Sequence, residues 1–162
     1  MAYNYIRGIE YIALGVLNAM PFERREILFY LTELKQAVLD SGEVIEGKMQ
    51  SSGDIQILDA LHTRDFHSSF HDIQMRFRTL FAQRGGRDGV MFRVSTNGMF
   101  RKDQVVGIIV RDSVMERVLL KACKDFNIGL PRAAQKTIVA KDLAIGFEFI
   151  FDTAGLMLEE AF

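Results

Sequence analysis

Val90, Phe92 and Val94 alternate with Met91, Arg93 and Ser95, and Asn97-Gly98 follows at once. That pattern limits what the chain can fold into more than any other. Alternation at period two is a strand with one covered face. Asn-Gly accepts the positive φ of a tight turn, so the chain must fold back on itself there. The return strand runs from Met99 toward Val110, and Val105–Val110 is apolar enough for a central position in a sheet. A second hairpin is expected over about 136–152, turning at Lys141-Asp142, with Phe147, Phe149 and Phe151 on one face.

Helical signals separate the hairpins. Pro21, the stripe Ile27, Leu31, Leu34, Val38 and then Gly42 predict a helix over about 22–41. Phe66, Phe70, Ile73, Phe77 and Leu80 step by four, three, four and three, which predicts a helix over about 65–84 with those phenylalanines in the core. Ser113 and Glu116 read as a capping box before Val118, Ala122 and Phe126, giving a helix over about 113–127. Residues 1–20 lean toward helix, 43–50 read as a short strand, and 55–61 as a strand or the approach to the next helix. Thr153 is placed to cap a short C-terminal helix. Hairpins interleaved with helices mean an α+β fold, a mainly antiparallel sheet packed on helices. With 162 residues, two prolines and no low-complexity run, 1–162 is expected to form a single domain.

Charge is distributed unevenly. The net charge is −1, yet Arg76–Lys102 holds seven basic residues against one acid, Asp88, a local charge of +6. Residues 1–63 carry −4 and residues 103–162 carry −2. Six of the seven cations are arginine, whose planar fork pairs with phosphate and stacks on bases. The expected function is therefore a nucleic-acid-binding module, for RNA or single-stranded DNA rather than duplex. Arg78, Arg84, Arg87, Arg93, Arg101 and Lys102 would hold phosphates, and Phe100 would stack on a base. Arg93 and Arg101 are expected side by side across the hairpin, a repulsion that a polyanion would relieve. Pairing of these cations with acids such as Glu23, Glu33 or Glu159 is the competing account. A second function class is a self-assembling structural or adaptor subunit, since thirteen Phe and eight Met supply apolar contact surface.

Enzymatic signatures are weak. His67 and His71 would share a helix face, but no third ligand or base accompanies them, so no metal is expected. Cys123 lies in the 113–127 segment with no partner for a cysteine–histidine pair, and reads as a buried thiol. No phosphate-loop or cofactor motif occurs, so neither an enzyme nor a cofactor is expected. One cysteine fits a reducing compartment, and the N-terminal apolar run, broken by Asn4, Arg7 and Glu10, is too short and polar to span a bilayer. The expected location is the cytoplasm, with no membrane partner and a possible homo-oligomer.

Overall fold

A computed structural model describes residues 9–10, 13–17, 20–45, 54–84, 88–98, 101–131, 135–141 and 143–152; at 9–23, 54, 83–84, 96–98, 101–104 and 151–152 the description is of the backbone. The fold is α+β, with two antiparallel sheets and three helices among the described residues. The first sheet is ordered β1 (Ile9–Glu10), β3 (Met20–Tyr30), β9 (Ala144–Asp152), β8 (Gln135–Lys141), and β2 (Ala13–Leu17) also pairs with β3. The second is ordered β4 (Glu43–Val44), β7 (Arg101–Arg111), β6 (Gly89–Gly98), β5 (Asp54–His62). Helices α1 (Leu31–Ser41) and α3 (Asp112–Asp125) join both sheets in the main core around Phe29, Phe92, Met115, Leu119 and Phe147. Helix α2 (His71–Arg84) covers the opposite face of the second sheet, where Phe77 and Leu80 meet Leu61, Met91 and Ile109.

Both expected hairpins form, but Asn97-Gly98 is not the turn of the first: both residues end β6, Gly98 faces Arg101, and the return strand starts at Arg101 rather than Met99. Lys141 faces Ala144 across the second. The inner part of the first is covered on both faces rather than half-buried, because α2 shields Met91 while the main core takes Val90, Phe92 and Val94; Val105, nearer the hairpin end, is 48% exposed. Gly107 makes that second cover possible: a Cβ there would lie 2.1 Å from Leu80 Cδ2.

Four other expectations are corrected. The segment 22–41 is not one helix, because β3 occupies its first half and α1 starts at Leu31. A helix stripe through Ile27 and Leu31 would leave Phe29 about 200° away. As a strand paired to β9 along Phe22–Tyr30, the segment buries Ile27, Leu28 and Phe29, each gaining about 1.5–3 kcal/mol. Within residues 1–20, the described stretches Ile9–Glu10 and Ala13–Leu17 are strands, not helix, because β3 offers them a free edge.

Helix α2 begins at His71 rather than near Asp65. The hydroxyls of Ser68 and Ser69 donate to the Asp65 carbonyl, and Thr63–Asp65 forms a 3-10 turn. Those side-chain bonds compete with the helical ladder. Phe70 is consequently 80% exposed and Phe66 only half-buried, while Phe77 is core as expected. The capping box of α3 is also absent: Arg111 is the N-cap, without a side-chain bond, and Glu116 pairs with Lys136 at 2.9 Å. The buried stripe of α3 is Met115, Leu119, Ala122 and Cys123. The expected C-terminal helix, Phe151 as a side chain, and the Asp142 turn position lie outside the described residues. No helix among the described residues is long and apolar enough to cross a membrane.

Candidate nucleic-acid interface

The basic segment runs through α2, the connection to β6, and the β6–β7 hairpin, and its described cations have different settings. Arg93 points toward α2, where it meets Asp59. Arg93 Nε and Nη2 donate to Asp59 Oδ1 and Oδ2 at 2.7 and 2.8 Å, a bidentate pair. Arg76 Nη1 donates to Asp59 Oδ2 at 2.7 Å. The Asp59 carboxylate is 2% exposed, against 20% for the Arg93 side chain and 35% for Arg76. The Arg93 guanidinium also lies 5.8 Å from the Phe77 ring centroid.

A β-bulge creates this arrangement. Ile57 faces Val94 and Asp59 faces Arg93, so Leu58 is the extra residue on β5. In a regular strand Ile57 and Asp59 would share a face, and the carboxylate would enter the main apolar core. The bulge turns Asp59 to the α2 side instead, directly opposite a guanidinium.

Arg93 therefore belongs to the interior, and its expected neighbour is elsewhere. Arg93 faces Gly107, whereas Arg101 faces Gly98. Five residues of strand separate the two positions, roughly 16 Å. The expected side-by-side repulsion is absent. The expected acids Glu23, Glu33 and Glu159 are not what Arg93 pairs with; Asp59, in the neighbouring strand, is. Arg84, Arg101 and Lys102 are placed by their backbones, at the end of α2 and the start of β7. Arg87 and Phe100 lie outside the described residues.

Arg78 has the opposite setting. It is exposed on α2, and its described polar contact is Met75 Sδ at 3.9 Å. His71, Met75, Arg78 and Ala82 recur at i, i+4, i+7 and i+11, one exposed stripe. Beside that stripe is a cleft of about 380 Å3 whose lining includes Phe66, Gln74, Arg78 and Phe81. The Phe66 and Phe81 rings stack with centroids 4.1 Å apart and planes 5° from parallel. His67 stands edge-on to both, at 5.2 and 5.7 Å. The 66–70 turn is fastened to the helix, because Gln74 Nε2 donates to the carbonyls of His67 and Ser69 at 3.2 and 2.9 Å. Sequence reasoning placed Phe66 in the core and did not single out Phe81, so it missed both as cleft residues. Their signal was the departure of the Ser68-Ser69 pair from helical chemistry.

The other titratable groups are absorbed by structure. His62 is buried, accepts from the Arg64 backbone N–H through Nδ1 at 3.2 Å, and lies 2.8 Å from Asp112 Oδ1 through Nε2. With Nδ1 accepting, Nε2 carries the proton in the neutral ring. His67 precedes α2 and His71 opens it, so the two do not share a helix face. Among the described residues no group of three His, Cys, Asp or Glu side chains could hold a metal. Burial pushes the Cys123 thiol up to about 11, leaving it protonated and unreactive near neutrality.

No family model, no curated protein and no solved structure matches this chain.

Proposed function

We propose that the protein is a non-enzymatic nucleic-acid-binding module of the cytoplasm, for RNA or single-stranded DNA rather than duplex. One observation carries the reading. Arg78 is exposed at the head of the basic segment beside an aromatic cleft, with no described carboxylate paired to it. Arg84 follows at the end of the same helix, and Arg87, Arg101 and Lys102 continue the basic run toward and into the β6–β7 hairpin. Arg93 leaves the phosphate-binding set, since Asp59 already holds it. Phe100 remains the stacking residue assigned by the sequence.

The test is anisotropy of a fluorescent single-stranded RNA titrated at low and physiological salt. Wild type is compared with Arg78→Glu, Arg87→Glu, Arg101→Glu combined. Each phosphate contact on a single strand contributes about 0.7 to the log–log salt slope, so the triple variant should lose roughly two units of slope together with most of its affinity. Affinity flat with salt in the wild type would refute the electrostatic mechanism.

A second reading, a self-assembling structural or adaptor subunit, is favoured by two exposed apolar side chains. Phe70 is 80% exposed and Met75 52% exposed, both close to α2. Mass measured across a concentration series decides it: assembly predicts a rising mass that Phe70→Ser abolishes.

A further inference from the structure

We propose that the cleft between the 66–70 turn and the exposed stripe of α2 receives one unpaired nucleotide of a single strand. The base would lie against the Phe66–Phe81 wall, and Arg78 would hold an adjoining phosphate. This inference rests on the nucleic-acid-binding reading and adds to it a specific subsite.

Size limits the occupant first. About 380 Å3 is near the lower end of ligand pockets, which span roughly 300–1,000 Å3. One nucleotide fits that volume, whereas a stacked duplex does not enter it. Chemistry narrows the choice further. The wall is aromatic, with the parallel Phe66 and Phe81 rings, and every nucleobase presents a π-face to such a surface. At the rim, Arg78 brings a guanidinium fork suited to phosphate oxygens, and His71 brings an imidazole. Gln74 borders the cleft with its amide nitrogen already committed to two turn carbonyls.

Rigidity favours binding as well. Gln74 also donates its backbone N–H to the Phe70 carbonyl at 3.0 Å, and Ser68 and Ser69 both donate to the Asp65 carbonyl. The turn is thus held from both ends before any ligand arrives, so little ordering entropy is lost on binding. A base must leave its stack to enter, which explains a preference for single strands without reading any sequence.

The experiment uses oligouridylate with fluorescein at one end, a matched strand carrying 2-aminopurine, and the corresponding duplex, each titrated at two salt concentrations. Phe66→Leu keeps apolar bulk and removes the flat ring. It should weaken single-strand binding about tenfold at both salts while leaving the salt slope unchanged, and 2-aminopurine quenching should disappear. Ala82→Phe obstructs the cleft from an exposed helix position without touching the stack, and should give the same loss if Phe66→Leu fails to fold. Salt-sensitive binding that survives in both variants, with quenching intact, overturns the subsite and leaves the broader reading standing. Wild type that binds no strand at low salt overturns both. A mass that rises with concentration and is restored to the monomer by Met75→Glu would assign the cleft to a second copy of the chain, and also overturns the subsite.

Discussion

Arg93 and Arg78 come from one basic segment and lie on opposite sides of the same structural boundary. Arg93, on β6, is turned under α2, where a bulge on β5 delivers the Asp59 carboxylate to it in bidentate geometry. Arg78, on the outer side of α2, meets only a methionine sulfur among its described polar contacts. Charge counted along the chain treats them alike. Physically they are unlike, because a largely covered guanidinium beside a buried carboxylate must keep its counter-ion whereas an exposed one is free to exchange partners with water and ligand. A cluster of arginines is thus a reservoir, and the packing decides which members reach the surface.

The most forceful way to break this comparison is Asp59→Asn. It leaves two guanidiniums facing a neutral amide, one of them largely covered. Urea denaturation should show a loss of about 3 kcal/mol, the lower part of the range for a broken buried pair because Arg76 is partly solvated. Arg78→Ala should change stability by no more than about 0.5 kcal/mol, as exposed substitutions do. Equal losses at the two positions would erase the distinction.

Burial without a counter-charge sharpens the same contrast. Cys123 is covered by the main core and its thiol is raised from 9.0 to about 11. Its folded value exceeds the unfolded one, so stability is whole below pH 9 and falls as pH rises from 9 to 11, when only the unfolded chain gains the thiolate. That loss approaches about 3 kcal/mol in full. Cys123→Ala should remove this component, seen as a shallower alkaline decline in denaturation midpoints. Parallel declines in the two proteins would show that the thiol does not feel its burial.

A smaller effect tests whether α2 is what separates the two arginines. Gly107→Ala forces a methyl against Leu80, and should cost about 1–3 kcal/mol. If α2 is displaced, hydrogen exchange should rise in α2 and around Asp59 together, while the hairpin β8–β9 keeps its protection. Unchanged exchange in α2 would mean that Leu80 adjusts alone.

Much of the fold was legible in local sequence. The Val90–Ser95 alternation specified the β6–β7 hairpin, with Asn97-Gly98 marking its end to within two residues, and the apolar pattern of 135–152 specified the second. The buried stripe of α1 was legible too, in Leu31, Leu34 and Val38. Its start was not, because Ile27 fits a helical stripe as well as it fits a strand, and β9 lies more than a hundred residues away. The candidate site was legible only as a charge imbalance. Neither the pairing of Asp59 with Arg93, 34 residues apart, nor the stacking of Phe66 on Phe81 has a local signature.

By itself, then, the sequence determined the hairpins, the alternations and the concentration of cations between Arg76 and Lys102, since these depend on residues within a few positions of one another. The tertiary structure decided that residues 20–30 are a strand and that α2 starts at His71 below a fastened turn. It also decided that Arg93 is paired to Asp59 under α2 while Arg78 is exposed. Those outcomes depend on which distant strand, carboxylate or ring arrives alongside, and only the folded chain brings such partners within the few ångströms over which pairing and packing act.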